Sequence, residues 1–274
     1  MTNNFQHKKS LGQHFLNSDY VPKQMCDAAG DIAGKTVLEI GPGTGILTRE
    51  ILTRGARVVA VEADQRAISS LEETFPDEIA RGQLTIHHHD ARTLDPSQFG
   101  LEKHSYIVIS NIPYYLSGSL FRSLLDTNCQ PSDLVFLVQK EVAERIARDP
   151  KESLLSLSVK VFGDPSYICT VKRGHFTPPP KVDSAIVAVH NISHDKIPAE
   201  SYTAFFSILH LGFAQKRKQL LGNLSAEYDR GLLETIFTEL QISHTVRGED
   251  LPLAVWLSLL SKLHPQLHPT STNN

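Results

Sequence analysis

Short apolar runs alternate with helical periods from residue 18 to residue 190. Ser18 or Asp19 is expected to cap a first helix that turns Val21, Met25 and Ala28 inward. Val37, Leu38 and Ile40 read as a buried strand, followed by a glycine cluster and a helix with Leu47 and Ile51 on one face. Further strands are predicted at 57–61, 84–90, 106–110 and 134–138, with helices near 65–74, near 140–148, near 153–163, and through Leu116, Leu120, Leu124 and Leu125. Two more strands, near 166–173 and 184–190, are separated by a proline-rich loop and read as an antiparallel pair closing the sheet. The run at 106–110 is almost wholly apolar, as a parallel strand covered on both faces should be. Strands alternating with helices predict a doubly wound α/β sheet, with ligands at the carboxyl ends of its strands.

The pattern changes around 191–198, and only helical periods follow: Tyr202, Phe205, Phe206 and Leu209, then Leu232, Leu233, Ile236 and Leu240, then Leu253 to Leu263. Asp250 is expected to cap the last helix, with Pro252 in its first turn. The domains are therefore read as 1–192 and 196–264, the second all-helical, with a disordered tail at 265–274.

Composition narrows the classes. Apolar content of 41% and charged content of 21% over 274 residues suit a soluble globular protein. No apolar stretch approaches a membrane span, and the polar start does not resemble a signal peptide, so a cytoplasmic location is expected. Three scattered cysteines give neither a disulfide framework nor metal-ligand spacing. His87, His88 and His89 cannot converge on one ion from a strand, because neighbours point to opposite faces, so no metal is expected. A net charge of −3 argues mildly against a nucleic-acid binder, yet His7-Lys8-Lys9, Lys172-Arg173 and Lys216-Arg217-Lys218 are compact basic clusters.

Chemistry enters where the strands end. Gly41, Gly43 and Gly45 form a Gly-x-Gly-x-Gly turn between strand and helix, and Glu62 follows Gly41 by twenty-one residues, a spacing at which an acid reaches ribose hydroxyls. That much suits a dinucleotide or S-adenosylmethionine equally. With Asp90 and Asn111, four strand ends carry small or polar ligand-type residues, which points to one shared site. Asp90 is expected at the cofactor adenine amine, its alternative being a helix cap.

Asn111-Ile112-Pro113-Tyr114 supplies what methylation of an exocyclic base amine requires. An Asn oxygen and the next carbonyl can accept both amine hydrogens and aim the nitrogen lone pair; proline fixes the turn, and the aromatic can stack on an extruded base. Phe176, in the loop 174–183, is a candidate for the opposite wall of that base slot, against the alternative of a core residue.

These residues, with Lys9–Leu16, Gln139–Val142, Phe176-Thr-Pro-Pro-Pro-Lys-Val-Asp-Ser184 and Phe213–Lys218, make the chain resemble the small-subunit ribosomal RNA adenine dimethyltransferases along nearly its whole length. The resemblance implies a Rossmann-like, class I S-adenosylmethionine-dependent methyltransferase with a helical, RNA-binding C-terminal domain. The implied reaction places four methyl groups on N6 of two adjacent adenosines, in the loop of the 3′-terminal hairpin of 16S rRNA, within an immature 30S subunit; separately, a monomer is expected, although the sequence itself is silent on oligomeric state. Carried over by position, Gln13, His14, Leu16, Gly41, Gly43, Glu62, Asp90 and Asn111 would contact the cofactor. Asn111 to Tyr114 and Phe176 would hold the base, while Lys8, Lys9, Lys181, Lys216, Arg217 and Lys218 would meet RNA. The chain departs from the family pattern at His14 (often Asn), at Ser110 (commonly Gly) and through Lys151–Ser158. Alternatives are a macrolide-resistance type methyltransferase of large-subunit RNA, a non-catalytic RNA-binding assembly or transcription factor and, more remotely, a nicotinamide dehydrogenase.

Overall fold

The computed structural model describes residues 14–265. The expectations for Lys8, Lys9, Gln13 and the tail from 266 onward lie outside the described residues. Seven strands form the main sheet: β2 (Thr36–Ile40), β3 (Arg57–Glu62), β4 (Leu84–His88), β5 (Tyr106–Asn111), β6 (Asp133–Gln139), β7 (Asp164–Val171) and β9 (Ser184–His190). β1 (Phe15–Leu16) and β8 (Phe176–Thr177) make a separate antiparallel ribbon. The main order is β4-β3-β2-β5-β6-β9-β7. β2 to β6 pair in parallel, whereas β9 runs antiparallel between β6 and β7. The chain therefore steps outward from β2 to β4 and then restarts on the other side at β5, which places a topological switch point between β2 and β5.

Alternation sorts the strand residues into two cores. Leu38, Ile40, Val108, Leu134, Phe136 and Val138 enter one cluster; Val37, Ile107, Ile109, Val135 and Leu137 enter the other, as a period of two requires. The second cluster takes the buried sides of α1 (Tyr20–Ala28), α2 (Ile46–Thr53) and α3 (Gln65–Thr74). In α1 the buried residues are Val21, Pro22, Met25 and Cys26, with Ala28 only half-buried. Asp19 occupies its cap position without a side-chain cap bond, and Ser18 Oγ instead meets His175 Nδ1 at 3.1 Å. A short α4 (Pro76–Ala80) precedes β4, and α5 (Ser117–Leu125), α6 (Lys140–Ala147) and α7 (Leu154–Lys160) complete the α/β part.

Beyond Pro198 the described residues form only helices: α8 (Tyr202–Gly212), α9 (Leu220–Leu224), α10 (Arg230–Glu239) and α11 (Leu253–Leu263). They close around Trp256, which is fully buried and stacks on Phe213 at 5.6 Å. Leu232 departs from the expected apolar stripe and is 47% exposed. Pro252, not Asp250, holds the cap position of α11. Asp250 instead ends a short 3-10 turn and pairs with Lys151 at 3.2 Å. One hydrophobic cluster runs from the sheet through Phe162 and Phe205 to Trp256, and Lys151 also pairs with Glu249 at 2.6 Å, so the helices are seated on the sheet by both packing and charge. Among the described residues, no helix is long and apolar enough to cross a membrane.

Candidate active site

The glycine turn after β2 is shaped by close approaches. Gly45 has φ +77° and opens α2; a Cβ there would stand 2.6 Å from Phe75. Gly41 has φ +67°, and its missing Cβ would meet no protein atom within 4 Å although the residue lines a crevice, so glycine keeps that space open for a ligand. The crevice has a volume of about 440 Å³, within the usual ~300–1,000 Å³ of small-molecule sites.

The sheet itself opens this crevice. β2 and β5 pair only as far as Leu38 opposite Val108. Beyond that point the Ile40 N–H donates to the buried Ser110 hydroxyl at 2.6 Å. Ser110 thus satisfies a backbone group left over where the two strands separate.

His14, Gly41, Gly43, Glu62, Asp90, Asn111, Ile112, Pro113 and Tyr114 all line the crevice, although they come from five separate stretches of chain. Glu62 is 6% exposed. Its Oε1 accepts from the N–H groups of Ala63 and Asp64, each at 2.9 Å, and Oε2 accepts from Gly43 N at 3.2 Å. Burial raises its pKa, and these three backbone donors oppose the rise. A carboxylate offers about four acceptor positions, so capacity for a ribose hydroxyl remains. Glu39, one strand over, is 1% exposed and accepts from Thr48 Oγ1 at 2.7 Å. Burial pushes its carboxyl up to about 8.

Asp90 both lines the crevice and caps the 3-10 turn Ala91–Thr93, accepting from Arg92 N at 2.9 Å. The Arg92 guanidinium also meets its carboxylate, at 2.5 Å, and these hydrogen bonds hold the Asp90 pKa down at about 2. Asn111 donates from Nδ2 to the His14 carbonyl at 3.3 Å, which orients the amide and leaves Oδ1 as its acceptor. The Pro113 carbonyl is taken by Leu116 N at 2.9 Å. Tyr114 is half-buried, with its hydroxyl 2.7 Å from Ser184 Oγ.

Two of the expected side chains do not line the crevice. Phe176 does not line the crevice beside Tyr114: it is 2% exposed and packs into the second core, on the strand β8 that pairs with β1. The ring stacked on Tyr114 is His14, at 5.7 Å between centroids, steadied by its Nδ1 donating to the Pro178 carbonyl at 2.8 Å. Leu16 likewise lies in the core at 6% exposure, and its neighbour Phe15 lines the crevice instead. On a strand, adjacent side chains take opposite faces, so a shift of one residue decides which of them meets a ligand.

The basic residues Lys181, Lys216, Arg217 and Lys218 are all exposed, the last three on the turn between α8 and α9. His88 and His89 line the crevice and contact the Ala63 and Thr93 carbonyls, each at 3.2 Å. Among the described residues no group of three or more His, Cys, Asp or Glu could hold a metal ion. Tyr115 also lines the crevice, a place the sequence pattern did not assign it; its position directly after the Asn-Ile-Pro-Tyr turn was the available signal.

A sheet of this order, open at its switch point behind a glycine turn, defines a Rossmann-like methyltransferase fold. The profile of the ribosomal RNA adenine dimethylase family matches residues 4–264, and the chain belongs to that family. A relative from Dehalococcoides mccartyi, named ribosomal RNA small subunit methyltransferase A, is 37% identical over 255 residues, covering 92% of this chain and 87% of its own. One of the same name from Acaryochloris marina is 35% identical over 266 residues, covering 94% and 97%. Among solved structures, the 23S rRNA methyltransferase ErmE superposes with a TM-score of 0.74 at 23% identity, covering 91% of this chain and 99% of its own. A dimethyladenosine transferase from Plasmodium falciparum gives 0.73 at 24%, covering 92% and 98%. At such identities these two matches speak to fold alone. The chain is an enzyme, a methyltransferase of ribosomal RNA adenine.

Proposed function

We propose that the protein uses S-adenosylmethionine to transfer four methyl groups to N6 of two adjacent adenosines, in the 3′-terminal hairpin loop of 16S rRNA. It would do so as a cytoplasmic monomer acting on an immature 30S subunit. The observation that carries the reading is the meeting of Gly41, Glu62, Asp90 and Asn111 in one crevice at the β2–β5 switch point. The space beside Gly41, the buried Glu62 carboxylate and the crevice volume suit an adenosine-bearing cofactor. Gly41, Gly43, Glu62 and Asp90, with His14 and Asn111 at the rim, are the residues that would hold it. When bound, S-adenosylmethionine supplies an electrophilic methyl on a sulfonium.

The chain's own residues then act on the base. Asn111 Oδ1 and the Ile112 carbonyl accept the two hydrogens of the target amine. That contact draws the nitrogen lone pair out of conjugation and aims it at the methyl. Pro113 holds the turn, with its own carbonyl engaged by Leu116, and Tyr114 offers its ring to the extruded base. The methylated amine is acidic and releases its proton to water. The exposed cations Lys181, Lys216, Arg217 and Lys218 would contact phosphates.

Incubation with labelled S-adenosylmethionine and small subunits from a strain lacking the modification tests the reading. Label should appear on the two 3′-terminal loop adenosines and not on large subunits. Label on large subunits alone, or none with an active control enzyme present, overturns it.

A further inference from the structure

Tyr115 is 63% exposed at the mouth of the crevice. It belongs to the 3-10 turn Tyr114–Leu116, which is fixed on both sides: Leu116 is buried and its N–H donates to the Pro113 carbonyl at 2.9 Å, while Ser117 Oγ donates to the Tyr114 carbonyl at 2.9 Å. With three residues per 3-10 turn, successive side chains point about 120° apart. Tyr114 is committed inward, its hydroxyl on Ser184 and its ring against His14. Tyr115 is the ring the same rigid turn presents outward.

We propose that Tyr115 is a stacking platform for the nucleotide next to the target, which under the proposed function is the second adenosine of the pair. An adenosine drawn in to Asn111 pulls its neighbour to the crevice mouth and strips it of one stacking partner. A preset aromatic face there replaces that partner at little ordering cost, because the turn already fixes its backbone. Phe176 cannot take this part, being closed into the core. Tyr115 thus acts as a positioning residue for the pair of adenosines, and touches neither the transferred methyl nor the reacting amine.

The test compares wild-type protein, Tyr115→Ala and Tyr115→Phe on unmethylated small subunits. A second substrate carries an abasic site in place of the neighbouring adenosine, introduced by ligating a synthetic 3′ segment before reconstitution. Tyr115→Ala is expected to raise KM for subunits about tenfold, with kcat changed less than about threefold. Tyr115→Phe, which keeps the ring, restores KM, and the urea unfolding midpoints of both variants match wild type, showing an intact fold. The abasic substrate should raise the wild-type KM to the level of Tyr115→Ala and leave that variant unaffected. A wild-type KM for Tyr115→Ala, or an abasic penalty equal in the two proteins, overturns this inference while leaving methyl transfer standing. No transfer by the wild-type protein overturns both.

Discussion

Tyr114 Oη and Ser184 Oγ lie 2.7 Å apart, joining the end of β5 to the start of β9 across seventy residues of sequence. The serine is fully buried and the tyrosine half-buried, with burial raising the phenol's pKa. The bond holds the turn that carries Asn111 against the strand that follows the proline-rich loop. An antiparallel strand inserted late in the chain thereby braces a site built early in it.

Removing either partner strands the other. Ser184→Ala and Tyr114→Phe should each cost about 1–3 kcal/mol of stability, whereas the double variant should cost little more than the worse single one. Urea unfolding of the four proteins measures this. Strict additivity would show that the two hydroxyls do not depend on one another.

Glu39 gives stability a particular pH dependence. Its folded pKa of about 8 lies above the ordinary glutamate value of 4.5, so the folded state holds a proton that the unfolded chain releases. Its favourable contribution is therefore full below pH 4.5 and is lost as pH rises towards 8, at about 1.4 kcal/mol per pH unit. Glu39→Gln keeps an acceptor for Thr48 and cannot titrate. Its stability should fall less steeply between pH 5 and pH 8 than that of the wild type, a range set by the same pKa. Parallel curves for the two proteins would rule out a neutral Glu39.

Asn111→Ala removes an acceptor used by the target amine. Single-turnover transfer should drop at least about a hundredfold, while the affinity for S-adenosylhomocysteine stays within about tenfold. A loss of affinity as large as the loss of rate would place Asn111 in cofactor binding alone.

Replacing Lys216, Arg217 and Lys218 with Ala should weaken binding to unmethylated small subunits and flatten its dependence on salt. The log–log slope should fall by about 0.7–0.9 for each phosphate that the triple variant no longer neutralises. Filter binding across a salt series reads the slope. An unchanged slope would show that this turn faces solvent in the complex.

Local patterns in the sequence were enough to locate the strand ends. The glycine turn, Glu62 and Asn111 were legible because each ends or follows a buried apolar run, and Asp90 because it follows the half-buried strand β4; a parallel sheet brings such ends to one edge. The RNA-facing candidates were legible only as charge, since phosphate binding depends on where a cluster points.

What the sequence could not decide were the partnerships between distant segments. Whether Phe176 walls the crevice or fills the core depends on β8 pairing with β1, about 160 residues away, and that register buries Leu16 and Phe176 while presenting Phe15 and His14. The insertion of β9 between β6 and β7, the Tyr114–Ser184 bond and the Ser110 hydroxyl's hold on Ile40 are of the same kind. Periodicity is a property of neighbours in the chain and determines which face of an element is apolar. Which elements share that face is settled only when packing brings distant residues within a few ångströms.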